Sequence, residues 1–182
     1  MGTVVYRLSV VLFILFTGCA SQRESLPISI GSSYACQPTP VAGQRSEGEG
    51  AYGCYFQLMH PETKKVLVNT PYYLAIYAPG ESDRASHQIY GVTDEQGRSL
   101  FLRAGFPIKT EQVIFVQTLG KGDYSGVSQL TRADQVVAFG RYQITGCGQE
   151  YKGMSDERGY VVMLQCESAQ MINVDLIEEP KK

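Results

Sequence analysis

Cysteine and histidine are the residue types with the most varied chemistry in this 182-residue chain, which has five cysteines and two histidines. The histidines are His60 and His87, and the chain contains neither a Gly-x-Ser-x-Gly nor a His-Glu-x-x-His pattern to accompany them. The cysteines are not grouped with each other or with histidines at the short spacings of zinc sites. The sequence therefore predicts no enzyme, no metal site and no cofactor.

The first cysteine, Cys19, follows a segment with the order of a secretory signal peptide. Arg7 provides the positive charge, residues 8–16 are almost wholly apolar, and small residues precede the cysteine. An apolar run of about nine residues is much shorter than the roughly 20 that a membrane-spanning helix needs. We therefore expect the chain to be exported.

The Phe-Thr-Gly-Cys sequence that ends at Cys19 resembles the bacterial lipobox, whose cysteine is lipidated and becomes the first residue of the mature protein. The resemblance implies that residues 1–18 are removed and that Cys19 carries the lipid. Ala20 and Ser21 follow, without the Asp that resembles an inner-membrane retention signal. The resemblance therefore implies a lipid anchor in the outer membrane with the protein facing the periplasm. An ordinary signal peptide with an incidental cysteine is the alternative.

Four cysteines remain, and an even number in an exported chain predicts disulfides with three possible pairings. Residues 142–144 and 160–164 read as a hairpin around a loop at 155–158. The register of that hairpin places Cys147 opposite Cys166, at a Cα separation that a disulfide can span. The favoured pairing is therefore Cys147–Cys166.

This pairing leaves Cys36 and Cys54 for each other. A Cys36–Cys54 bond would tie the segment after the lipid to the first strand. Closure of this loop stabilises the fold by about 3 kcal/mol in the chain-entropy model.

The remaining pattern is that of an all-β chain, since no stretch keeps a helical period over 11 or more residues. Residues 87–92 and 99–103 are expected to form a hairpin, and a single helical turn is expected near 130–136. Short runs rich in aromatic and β-branched residues, bounded by Gly, Pro and Asp, predict strands at 52–59, 66–68, 72–77, 87–92, 99–103 and 112–119.

The chain also contains an internal repeat. Thr93-Asp94-Glu95-Gln96-Gly97 recurs as Ser155-Asp156-Glu157-Arg158-Gly159, and each copy is followed by an apolar strand. Hydroxyl and carboxylate side chains that bond nearby backbone, followed by Gly, are typical of a tight turn. Calcium is the alternative, but the alternate-position ligands of a calcium loop are absent. We therefore expect two hairpin turns.

The sequence from Pro71 to Tyr73, together with the turn from Gly91 to Arg98, resembles the small transthyretin-like (prealbumin-like) β-sandwich units of bacterial secretion proteins. The resemblance implies two related, disulfide-stapled β-sandwich-like units. The expected organisation is a signal peptide (1–18), a lipidated cysteine with tether and irregular segment (19–51), a first β unit (52–119), a connecting loop (120–135), a second β unit (136–178) and a charged tail (179–182).

A lipobox followed by small disulfide-bonded units is similar to envelope immunity lipoproteins, which neutralise secreted antibacterial toxins such as type VI phospholipase effectors. The resemblance implies a protein partner, and the net charge of −2 without a basic cluster argues against nucleic acid. No small-molecule substrate is expected. The alternatives are an assembly lipoprotein of a secretion or pilus machine and a carbohydrate- or peptidoglycan-binding module. The polar loops 79–86 and 121–134 supply the candidate contact residues, which with the neighbouring His87 are Asp83, Arg84, His87, Lys121, Asp123 and Arg132.

Overall fold

The computed structural model describes residues 36–37, 42–81 and 84–177. The predicted signal peptide, Cys19, Asp83 and the tail 179–182 lie outside the described residues. Within them the chain forms strands and one short 3-10 turn, Thr110–Gln112, so the all-β prediction is confirmed.

The strands follow one another at short intervals. In chain order they are β1 (Cys36–Gln37), β2 (Ser46–Glu47), β3 (Tyr52–Phe56), β4 (Pro71–Ile76), β5 (His87–Val92), β6 (Phe101–Ala104), β7 (Val113–Gly120), β8 (Tyr124–Ser125), β9 (Thr131–Arg132), β10 (Gln135–Val136), β11 (Arg141–Gly146), β12 (Gln149–Met154), β13 (Met163–Cys166) and β14 (Asn173–Leu176).

Three sheets carry the fold. Sheet I has the order β1-β3-β6-β2, sheet II the order β5-β4-β7-β13-β8, and sheet III the order β12-β11-β14, while β9 and β10 form a separate hairpin. Strand β4 is buried on both faces, which explains its continuous apolar run from Tyr72 to Ile76. One face of β4 packs Leu74 and Ile76 against Phe56 and Leu102 of sheet I, which makes the first sandwich.

Sheet II curls around the face of β4 that points away from sheet I. That face buries five apolar side chains, and the Tyr90 hydroxyl on edge strand β5 lies 3.1 Å from the Ser125 hydroxyl on the opposite edge strand, β8. Four inter-strand spacings would separate these edges by about 19 Å in a flat sheet. The sheet is therefore rolled around a second core, made of Tyr73, Ala75, Ile114, Val116 and Met163.

The two units, β1–β7 and β8–β14, repeat one arrangement. In the first unit β4 pairs with β5 and β7, and in the second β11 pairs with β12 and β14. Strand β3 pairs with β6 just as β8 pairs with β13. The units share sheet II, because β13 of the second unit pairs in parallel with β7 of the first. In the same way, β6 of the first unit pairs in parallel with β2. Strand β2 therefore takes the position that strand β7 would take if another unit preceded the first.

Both disulfides join the predicted partners, Cys36 with Cys54 and Cys147 with Cys166, each at a Cα separation of 5.3 Å. The register used to predict the second bond was nevertheless wrong. Strand β11 pairs with β12 and β14 rather than with residues 160–164. Cys147 therefore lies in the turn after β11, and its bond connects sheet III to sheet II.

The expectation that both repeat turns close hairpins was also wrong. After the turn at Asp94 the chain leaves sheet II and enters β6 of sheet I, and after Asp156 it leaves sheet III and enters β13 of sheet II. The backbone hydrogen bonds of a tight turn are present, from Asp94 N to Arg98 O and from Asp156 N to Tyr160 O. The turn chemistry was recognised correctly, but local turn chemistry does not determine which sheet receives the next strand.

Two segments expected to be irregular contain strands. The predicted connecting loop 120–135 includes β8 and β9, and the predicted irregular segment 19–51 includes β2. The helical turn expected at 130–136 is instead the β9–β10 hairpin. Ala133 and Asp134 turn this hairpin with positive φ values of 48° and 63°, as a two-residue hairpin turn requires.

Candidate functional site

The turn of the first unit is held by a carboxylate that also binds an arginine. Asp94 Oδ1 accepts hydrogen bonds from the backbone N–H of Gln96 and Arg98, at 2.9 and 2.8 Å, and Asp94 Oδ2 accepts one from Arg98 Nε at 2.7 Å. Burial alone would raise the pKa of Asp94, but these bonds and the Arg98 charge outweigh it and hold the pKa below its usual value. Both carboxylate oxygens of Asp94 are therefore satisfied by donors within the turn.

The hydroxyl before this aspartate fixes the turn to the preceding chain. Thr93 is buried, its Oγ1 donates to Leu67 O at 2.7 Å, and it accepts from Thr70 N at 2.9 Å. In the second unit Ser155 Oγ donates to Val137 O at 2.8 Å and accepts from Gly140 N at 3.0 Å. The hydroxyl position of the repeat is thus structural in both units.

The carboxylate of the second unit accepts two hydrogen bonds, whereas that of the first accepts three. Asp156 Oδ1 accepts hydrogen bonds from Arg158 N and Tyr160 N, both at 2.8 Å. Asp156 Oδ2 is buried and has no hydrogen-bond partner, because Tyr160 stands at the position of Arg98. Burial is the main reason that the pKa of Asp156 rises to about 6.

An open groove of about 430 Å³ lies beside the first turn, and we call it the first groove. Tyr72 is at its base, where the hydroxyl accepts a hydrogen bond from Leu100 N at 3.2 Å. Burial raises the pKa of Tyr72, the bond from Leu100 lowers it, and the charges of Glu47, Arg45 and Asp94 act on it as well. Charged groups therefore converge on the base of the groove, whose lining is Ala42, Gly43, Gln44, Arg45, Glu47, Tyr72, Tyr90, Gly91, Val92, Asp94, Glu95, Gln96, Arg98, Ser99 and Leu100.

The matching position in the second unit, the second groove, is almost completely filled and retains about 40 Å³. Tyr142 takes the place of Tyr72, and its hydroxyl accepts a hydrogen bond from Val162 N at 3.1 Å. The filling comes from the first unit: Phe115, Val116 and Gln117 of β7, and residues Leu58, Met59, His60, Pro61 and Leu67 of a hairpin that we call the 58–67 hairpin.

The linings of the two grooves differ in polarity in a consistent way. The first groove is lined by Arg98, Ser99 and Gln44. The corresponding positions of the second groove are occupied by Tyr160, Val161 and Val116. Gly43 stands at the position of Phe115, and the space where a Gly43 side chain would project is open. The second groove is therefore buried against protein of the first unit, and the first groove is open and has the more polar lining.

The candidate residues from the sequence are spread over several places. His87 begins β5, the strand that borders the first groove, and its ring lies close to Gly48. Arg84 is exposed in the loop before β5, and Arg132 is exposed on the β9–β10 hairpin. Lys121 and Asp123 lie in the turn between β7 and β8, where Lys121 borders an open depression of about 570 Å³ beside the second disulfide. The structure brings none of these five residues into the lining of the first groove.

The residues of the first groove were not identified from the sequence, because the repeat was recognised only at the two aspartate turns and not at the glycines that precede β3 and β8. Gly48-x-Gly50-x-Tyr52 recurs as Gly120-x-Gly122-x-Tyr124, with positive φ at all four glycines. This alignment would have matched Gln44 and Arg45 with Val116 and Gln117, and so exposed the change in polarity.

The described residues include no helix long and apolar enough to cross a membrane. They also include no group of three or more His, Cys, Asp or Glu side chains placed to hold a metal ion. No family model, no curated protein and no solved structure matches this chain.

Proposed function

We propose that this protein binds a protein partner through its first groove and acts by binding rather than by catalysis. One observation carries the proposal: the same groove in the second unit already accommodates a protein segment, and in the first unit it is open and polar. The favoured partner is a secreted antibacterial toxin, for example a type VI phospholipase effector, which the protein would inhibit. The toxin and the lipid anchor at the outer membrane rest on the sequence resemblances, with Cys19 as the lipid acceptor.

The frame around the groove favours tight binding. Residues 46–47 on one side pair with β6, and β5 on the other side pairs with β4. The Cys36–Cys54 disulfide fastens the sheet that carries the first of these walls. A preformed site loses little conformational entropy when it binds, which is a property of effective inhibitors.

A second candidate function, assembly within an envelope machine, is favoured by the way the units are joined. Sheet II takes three strands from the first unit and two from the second, as successive repeats do in stacked repeat proteins. A structural protein of similar build in a secretion or pilus machine could stack on the first unit in the same manner.

The test of the proposed function uses the toxin encoded next to this protein's gene. The two proteins should form a one-to-one complex, and cells that express the toxin in the periplasm should survive only when this protein is present. Survival that does not depend on the protein, or no complex at micromolar concentrations, would reject the inhibitor. A complex with a component of a neighbouring secretion or pilus cluster would favour the assembly role.

The anchor has its own test. Metabolic labelling with a palmitate analogue should mark the wild type, while Cys19→Ala should remain unlabelled and leave the membrane fraction. Equal labelling of both proteins would contradict the anchor.

A further inference from the structure

We infer that the first groove binds a β-hairpin of its protein partner, and that one strand of this hairpin extends sheet II at the outer edge of β5. The inference rests on the proposed partner-binding function and specifies the segment that the partner supplies. The template for filling the groove lies within the molecule, because residues of the 58–67 hairpin of the first unit line the second groove. Among the described residues that hairpin does not pair with β12, the counterpart of β5, so the added strand goes beyond this template.

The template hairpin is well defined. Met59 pairs with Val66, and Leu67 N donates to Leu58 O at 2.9 Å. Leu58 and Leu67 belong to the core of the first sandwich and also line the second groove. Of the described residues, none takes the corresponding place in the first groove. The volume of about 430 Å³ is in the range of sites that enclose a ligand.

The outer edge of β5 has no strand partner among the described residues, but the Tyr90 hydroxyl on this strand lies 3.1 Å from Ser125 Oγ of β8, so a strand added here would enter between β5 and β8 and replace that contact. Among the described residues β5 pairs only with β4, so the backbone N–H and C=O groups on its other side have no strand partner. Tyr90 and Val92 on this strand are 53% and 61% exposed and border the groove. An unpaired edge with exposed apolar side chains is the surface to which proteins add a partner strand.

The charges that line the first groove indicate which side chain the partner's hairpin should carry. Asp94 is already paired with Arg98, which leaves Glu47, Glu95 and Arg45 as the groove charges that form no ion pair with another described residue. These three carry a net negative charge. A Lys or Arg on the partner hairpin would complement Glu47 and Glu95, while an apolar neighbour fills the open space over Gly43.

The first experiment needs no natural partner. A backbone-cyclised peptide of residues 57–68, which includes Lys64 and Lys65, is titrated into the isotope-labelled full chain in detergent. We expect saturable NMR shift changes confined to residues 43–47 and 90–98, with slower amide exchange on the outer side of β5. The affinity should be weak, about 0.1–1 mM, because an isolated hairpin must be ordered on binding.

Matched charge variants provide the control. Glu47→Lys with Glu95→Lys in the protein, or Lys64→Glu with Lys65→Glu in the peptide, should weaken binding at least about 10-fold. Shift changes that are the same with and without both charge reversals, that map elsewhere, or that fit a dissociation constant above about 1 mM would overturn the inference.

A second experiment separates this inference from the proposed function. A photo-cross-linking residue is placed at Val92 in the groove, or at Met171, which is 81% exposed and lies outside it. The toxin should be captured from position 92 and not from 171. A stable toxin complex captured only from 171 would overturn the groove inference while leaving the inhibitory function intact, whereas the absence of any complex would reject the function itself.

Discussion

The two aspartate turns have nearly the same backbone and opposite electrostatics. Asp94 is partly exposed and its second oxygen binds Arg98, while Asp156 is buried between the units and its second oxygen has no donor. The difference follows from one position, Arg98 in the first unit and Tyr160 in the second. Where the groove is open the repeat keeps a charged residue, and where the groove is filled by protein it replaces that charge with an aromatic ring.

The largest effect is expected where the two turns agree. Tyr72 and Tyr142 are fully buried, and each ring lies against a glycine on the neighbouring strand, Gly91 or Gly153. Either Tyr→Ala substitution should lower the free energy of unfolding by about 3–5 kcal/mol, measured by denaturant titration. Phe at the same position should cost only about 1 kcal/mol, the value of the lost hydrogen bond. A large cost at one tyrosine and a small one at the other would break the equivalence of the units.

The second-largest effect is a pH dependence of stability that differs between the two units. The pKa of Asp156 in the folded protein, about 6, is above its ordinary value of 3.8. The stability linked to this carboxyl is therefore fully present below pH 4 and is lost as the pH rises through 6. Asp156→Asn should be more stable than the wild type by up to about 3 kcal/mol at pH 8, with the difference disappearing near pH 4. Thermal unfolding of both proteins across this range gives the measurement, and a pH-independent difference would contradict the account.

Asp94→Asn is the matched control and should behave with the opposite sign. The pKa of Asp94 is lowered, so its contribution is present above the unfolded pKa and is lost as the pH falls.

The hydroxyls test whether both turns are anchored alike. Ser155→Ala and Thr93→Val each leave a partly buried backbone N–H and C=O without their side-chain partner. Each should cost about 1–3 kcal/mol in denaturant unfolding. Unequal costs, beyond the uncertainty of the measurement, would show that one turn has a second anchor.

The smallest effect is that of the Asp94–Arg98 ion pair. Asp94 is about one-third exposed, so solvent screens the pair. Arg98→Gln should cost about 0.5–1 kcal/mol at low salt and less at high salt. A cost above about 2 kcal/mol would show that Arg98 supports the first groove by more than this pair.

The sequence predicted the strands and both disulfides better than it predicted their connections. Tyr72–Tyr77 and Gln112–Leu119 read as strands because their residues are apolar, aromatic or β-branched, and the structure has β4 and β7 there. The turns at Asp94 and Asp156 read as hairpins because turn chemistry is local. The choice between continuing in one sheet and crossing to another depends on distant packing, which no residue near the turn encodes.

The site was less predictable than the fold. Loops 79–86 and 121–134 were chosen for their polarity, but polar loops are common wherever a chain meets water. The first groove is informative only by comparison with its filled counterpart. That comparison needs the alignment of Gly48 and Gly50 with Gly120 and Gly122, together with the knowledge that Phe115 and the 58–67 hairpin occupy the second groove.

The most direct test of the central claim is hydrogen–deuterium exchange of the protein alone and in complex with the toxin from the neighbouring gene. We predict slower exchange in residues 42–47 and 87–98, which border the open groove, and unchanged exchange in residues 149–162, which border the filled one. Protection that appears in 121–134 or 149–162 while 87–98 exchanges as in the free protein would contradict the account.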